Sequence, residues 1–547
     1  MLRPDDVLPK LKEASNAAFY INGPMVHGLS DEMAADYYRL DGVSKYALAL
    51  ITLRLADRGL IDLNEPVAKA LPDLMDFNPF EVAITPNHLL AETGGFAHAP
   101  EGLGETAHTA PLSYFLIKSR GAGQLDDDDP VGWHVLKSLL ERRSGQSLQT
   151  LLLQEVLSPL GIADQSMLTG TQEPYWHTPL SSARIQGMAL QAFFEPLIHN
   201  PIIDGKPYLK TESYKELVST PLWEMHPLGH ARMAGLRLER MENHEILAIA
   251  ATGQNQDISI MVLPHSGLVF LQLGNQGDEP RFMDAVHSIL HEEVPPTYDH
   301  QAAIARARQL VPPSEYGRFY ICAHTPSDLA TRIKNVDTCQ MRLRPTGRGF
   351  DVTARTQGSG VSYTATEVAP FYFQPESSGE PLVFSTYKAG GYAALGQNSF
   401  VKAGVLGQWR GHIGGYIPVM LLVLLTGALH IGSKTSVQWR RFGWFCLIGP
   451  ALVGGGLYAD WHWWASVLYE HQLPALITAW RTGLNLGLML LLALPMLAMT
   501  FVRQQNMPQS GLALLLAGPH LGLISLAALA LFLSSIIWGM AGTFTAY

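Results

Sequence analysis

Cysteine is scarce: three residues in a chain of 547, too few for a disulfide framework. Cys322 and Cys339 lie near one another in sequence and can pair in an oxidising compartment, but spacing alone leaves that pairing open. Cys446 falls in an apolar stretch and reads as a packing residue. No long run of basic residues occurs and the net charge is −10, which implies no nucleic-acid partner. There is no glycine-rich phosphate loop, internal repeat or low-complexity tract. The acidic run Asp126–Asp129 lacks the ligand spacing of a calcium loop and reads as a solvated loop. His287 and His291 could share one helix face, but no glutamate base sits between them and a surface helix is the simpler reading. No metal and no cofactor is expected.

Charge is also sparse after about residue 410. Four runs, Ile413–Ile431, Phe442–Tyr458, Pro474–Val502 and Gly511–Trp538, are nearly free of it. A helix crossing the hydrocarbon core needs about 20 apolar residues. The runs read as four transmembrane helices, with a buried helical bundle as the alternative. Lys434, Arg440 and Arg441 lie between the first two runs, and Arg503 follows the third. Asp460, Glu470 and the tryptophan cluster D-W-H-W-W lie between the second and third. Positive loops face the cytoplasm. The expected placement is a multi-pass inner-membrane protein with its large N-terminal domain on the periplasmic face, although Lys402 and Arg410 run against it. The first residues, M-L-R-P-D-D-V-L, carry no apolar leader, so the expectation includes an export signal upstream of Met1.

What the remainder holds is regular pattern. Residues 5–17 read as a helix, and A-F-Y-I-N-G-P-M-V-H-G as a hairpin turning at Asn22-Gly23. Val43 to Arg58 is a helix rich in Ala and Leu, stopped by Gly59. E-I-L-A-I-A-A-T, D-I-S-I-M-V-L-P and S-G-L-V-F-L-Q-L read as three strands, followed by a helix over Asp284–Glu292. Proline pairs bound a linker, and the stretch beyond it is rich in Thr, Tyr and Gly with short alternating strands. The expected domains are 1–293, mixed α/β (α+β) with an antiparallel sheet; 294–313, linker; 314–403, a small β domain, barrel-like; and 404–547, an α-helical transmembrane bundle.

Three stretches carry a family resemblance. They are D-G-V-S-K-Y-A-L-A-L-I-T-L from Asp41, I-T-P-N-H-L-L-A-E-T-G-G-F from Ile84, and V-G-W-H-V-L-K-S-L-L-E-R-R-S-G from Val131. Together, and in this order, they resemble the serine β-lactamase and penicillin-binding-protein-like hydrolases, in the class C, esterase-type branch. The resemblance implies a serine nucleophile, a lysine base one helical turn later, a tyrosine from a Y-x-N loop, and a K-T-G or H-x-G strand walling the oxyanion hole. The i, i+3 spacing puts nucleophile and lysine on one helix face.

Mapped onto this chain, the lysine is kept as Lys45, but the nucleophile position is Gly42. The tyrosine position falls on Asp128 and the His/Lys position on Ala251. Glycine forms no acyl-enzyme. Ser44, one residue before Lys45, lies about 100° away around a helix. The charge of Lys45 is expected to pair with Asp41 or Asp128. The reading is a membrane-anchored pseudoenzyme that binds a peptide, a cell-wall-derived fragment or a protein partner. The alternative is an active membrane-bound serine hydrolase or D-peptidase using an unrecognised nucleophile.

Overall fold

The computed structural model describes residues 3–403 except 76–79, 97–111, 113–115, 117–119, 128–129, 169–176, 242–243, 249–257, 275–278, 314–315, 324–338, 357–358, 378–379, 388–390 and 397; beyond 403 it describes only scattered residues between 421 and 493. An eight-stranded sheet is the frame of the first domain. Its strands run, from edge to edge, Met25–His27, Ala18–Asn22, Leu268–Leu273, Ile258–Leu263, His244–Ala248, Arg237–Met241, Ala231–Arg232 and Trp223–Glu224. Every neighbouring pair is antiparallel.

Alternation along these strands feeds two cores. Ala18, Tyr20, Leu268 and Phe270 pack against Val7 and Leu11 of the helix Pro4–Ala14, and against Phe282, Val286 and Ile289 of the helix Glu279–Glu293. Phe19, Ile21, Val269 and Leu271 face the opposite way, into the larger core. His287 and His291 therefore sit on a helix that covers the sheet's first face.

The larger core is built around the helix Ser44–Asp57, and 11 of its 14 residues are buried. It packs among helical segments of residues 130–144 and 152–157. Burying each Leu or Ile here stabilises the fold by about 1.5–3 kcal/mol. Leu48, Leu50, Ile51, Leu53 and Leu55 are all at or near full burial, so the helix position is fixed from every side. Its first turn continues a 3-10 turn, Asp41–Val43.

Residues 319–402 form a closed barrel of eight antiparallel strands, with Phe319–Cys322 pairing with both Gln340–Pro345 and Asn398–Lys402. Tyr320, Phe350, Phe371, Phe373, Phe384 and Phe400 fill its interior together with Met341, Leu343 and Val352. A barrel of this size closes around side chains. Its outer wall, through Tyr372, Val383, Tyr392 and Ala394, packs on Leu125, Met225 and Leu228 of the first domain. The disulfide Cys322–Cys339 joins neighbouring strand ends, with the two Cα atoms 5.4 Å apart.

The reading of 404–547 as a transmembrane bundle is corrected. Among the described residues, no helix is long and apolar enough to cross a membrane. The multi-pass inner-membrane placement and the periplasmic-face topology, both inferred from those spans, fall with it. Most of the four apolar runs lies outside the described residues. Hydropathy measures only whether a run is apolar, and a span must also be one continuous helix of sufficient length.

Candidate active site

Gly42 and Lys45 occupy successive turns at the start of the buried helix. The lysine is 5% exposed. Its ammonium does not pair with Asp41, which instead faces Arg39 (3.0 Å). It lies 2.5 Å from Oε1 of Glu92. Asp128, the other acid expected beside it, and Ala251 lie outside the described residues. Ser44 is buried, and its hydroxyl donates to the carbonyl of Asp41 (2.5 Å).

Glu92 is the hub of the site. It follows the short helix Pro86–Leu90, whose start is set by a capping box between Thr85 and His88. Its φ is +56°, in the left-handed region that costs a non-glycine residue about 1–3 kcal/mol. Three donors offset that strain. Lys45 and Trp133 Nε1 (3.0 Å) reach Oε1, and Arg232 Nη1 reaches Oε2. Burial pushes the Glu92 carboxyl up, but Arg232 and Lys45 pull it further the other way and leave it lowered. It is a carboxylate near neutrality.

The network continues through Arg232, whose Nε donates to Asp126 (2.8 Å). Asp126 also accepts from Nε2 of His230 (3.1 Å). Burial opposes its charge, yet His230 and Arg232 hold the carboxyl well below its ordinary range. Burial lowers the imidazole of His230 despite that neighbour. Asp127 pairs with Arg120, and its N–H donates to the carbonyl of Glu92 (2.9 Å). Asp126 and Asp127 are 2% and 3% exposed, so the first half of the acidic run is a buried anchor, and the solvated-loop reading is wrong for these two residues.

Among the described residues, the cations Lys45, Arg120 and Arg232 thus face the carboxylates Glu92, Asp126 and Asp127 in a buried region. A balanced, hydrogen-bonded set is the condition under which buried charge is tolerated. Among the described residues no group of three or more His, Cys, Asp or Glu is placed to hold a metal ion. Sequence reading missed Glu92, Asp126, Arg232 and His230. Glu92 left one signal, a lone charge within the apolar frame L-L-A-E-T-G-G.

The comparisons with known proteins agree with these motifs. The beta-lactamase family model matches residues 38–188. This segment is a beta-lactamase family domain. It contains Gly42, Lys45, Glu92 and the Asp126–Trp133 stretch. A similar curated relative is the monacolin J acid methylbutanoyltransferase of Aspergillus terreus, 28% identical in a 154-residue alignment that covers 23% of this chain and 37% of that protein. Another is esterase EstB of Burkholderia gladioli, 28% identical in a 160-residue alignment that covers 25% of this chain and 40% of that one. The match thus spans well under half the length of these relatives. Among solved structures, SurE with D-Leu aligns over 73% of this chain and 99% of its own, at 14% identity and a TM-score of 0.47.

Proposed function

We propose that this beta-lactamase family chain is a pseudoenzyme, binding a peptide, a cell-wall-derived fragment or a protein partner without turning it over. One observation carries the reading. The position one turn before Lys45 is a glycine, and Lys45 itself is held in a buried ion pair with Glu92 (2.5 Å). The family reaction needs a hydroxyl to attack and a lysine free to take its proton. Here the hydroxyl is missing. Removing the proton from Lys45 would leave the network one cation short around a buried carboxylate.

The named relatives, a methylbutanoyltransferase and an esterase, both handle acyl groups, which favours a ligand bearing an ester or amide. An active enzyme would need another nucleophile. Ser44 is the nearest hydroxyl in sequence, and its proton is already given to the Asp41 carbonyl. The test is incubation of the full chain with an activated ester and with a fluorescent penicillin. No covalent label is expected. A label on Ser44 that survives denaturation would overturn the proposal.

A further inference from the structure

The chain's one disulfide among the described residues lies on the barrel, yet its neighbour in sequence reaches the candidate site. Ala323 follows Cys322 directly, and its carbonyl accepts from Nη1 of Arg120 (2.9 Å) in a buried setting. Arg120 uses its other terminal nitrogen on Asp127. The N–H of Asp127 donates to Glu92 (2.9 Å), and Glu92 holds Lys45. A second branch starts at the same residue. The N–H of Ala323 donates to the carbonyl of Ser399 (2.8 Å), and the Ser399 hydroxyl lies 3.4 Å from Asp126. Ala323, Arg120, Asp127, Glu92 and Lys45 are each no more than 5% exposed, so water cannot readily replace a broken link.

We propose that the Cys322–Cys339 disulfide is a redox-sensitive clamp on the buried ion network, its reduction loosening the segment 120–127 around Lys45 while both domain cores stay folded. The covalent bond fixes the end of the strand Phe319–Cys322 against its neighbour. The same strand end is also paired to Gln340–Pro345 and to Asn398–Lys402, and the Cys322 N–H donates to the Cys339 carbonyl (3.2 Å). Without the cross-link, the strand end beside Ala323, whose carbonyl is the acceptor of Arg120, is held by non-covalent bonds alone. The reaction is a two-electron exchange. A dithiol reductant breaks the S–S bond, two cysteine thiols form, and the dithiol leaves as its own disulfide. Cys322 is half-buried and Cys339 is buried, so a reagent meets the bond from the Cys322 side. Cys339 and Cys322 pack on the barrel's aromatic interior, which the remaining rings hold together, and the main sheet has cores of its own. This inference holds whether or not the site turns over a substrate.

The experiment is amide hydrogen exchange on the full chain, oxidised and after reduction with dithiothreitol and thiol blocking. Peptides covering 120–127 and 92–95 should exchange at least tenfold faster after reduction. Peptides over Ile258–Leu273 and Met341–Ala354 should not change. Cys322→Ser with Cys339→Ser should give the reduced pattern without reductant. Arg120→Lys should loosen 120–127 in the oxidised state, with reduction adding little. Unchanged protection of 120–127 after reduction overturns the proposal. So does a uniform rise across the main sheet, which would make the disulfide a general staple of the fold.

Discussion

The ammonium of Lys45 and the carboxylate of Glu92 lie 2.5 Å apart in the buried centre of a beta-lactamase family domain. Because Arg232 shares the same carboxylate, removing it takes a buried partner from two cations at once. Glu92→Ala should therefore destabilise the chain by about 3–5 kcal/mol, the range for breaking a buried pair by deleting one partner. Glu92→Gln keeps the shape and one acceptor and should cost less. Urea unfolding followed by tryptophan fluorescence checks both, since Trp133 donates to this carboxylate.

Restoring the missing hydroxyl should not restore the reaction. Gly42→Ser places an oxygen one turn before Lys45, but the lysine stays paired to Glu92. The expected result is no burst of product with an activated ester, within about tenfold of the uncatalysed rate, because members of a catalytic unit act together. Gly42→Ser combined with Glu92→Gln should label more than Gly42→Ser alone. Rapid acylation by the single variant would show that the ion pair does not hold the lysine.

Local pattern made some of this legible and distance hid the rest. The helix at Lys45 and the strands between residues 244 and 273 follow from periodicity within short windows. The retained lysine and the missing serine are likewise a matter of three adjacent positions. Glu92 and Arg232 are 140 positions apart, and Asp126 and Arg232 are 106. No window contains both members, so neither pairing shows in the sequence. The run Asp126–Asp129 has the composition of a surface loop, and only the arrival of Arg120, His230 and Arg232 makes its first two residues interior. Apolar run length misled in the opposite direction after residue 404, where composition alone stood in for a continuous helix.

A backbone constraint beside the lysine gives a further test. Gly235 has φ +71°, and a Cβ there would lie 2.7 Å from the carbonyl oxygen of Lys45 and 3.0 Å from Cβ of Ala49. The obstacle is helix backbone, which cannot swing aside. Gly235→Ala should cost at least about 1–2 kcal/mol from the left-handed conformation alone, and more from the contact. Thermal unfolding should show a fall of several degrees. Gly23 also has positive φ, but with open space around its Cβ position, so Gly23→Ala should cost less and serves as the control.

Acid should weaken the seat of the barrel through His226. Its Nδ1 accepts from the N–H of Leu228 (3.1 Å), so Nε2 carries the proton given to the carbonyl of Pro370 (3.0 Å) on the barrel. The ring stacks on Tyr372, centroids 5.8 Å apart. Burial pushes the imidazole down to about 4, against the partial support of the Pro370 carbonyl, and Arg240 lowers it further. The ordinary value is 6.5. Between these two values the unfolded chain binds a proton that the folded chain refuses, so stability falls as pH drops from 6.5 towards 4 and is unaffected by this group above 6.5. The loss approaches roughly 3 kcal/mol at the lower end. His226→Gln, which takes no proton, should flatten that part of the stability profile. An unfolding midpoint that falls as steeply between pH 6.5 and 4 in His226→Gln as in the parent chain would assign the acid sensitivity to other groups.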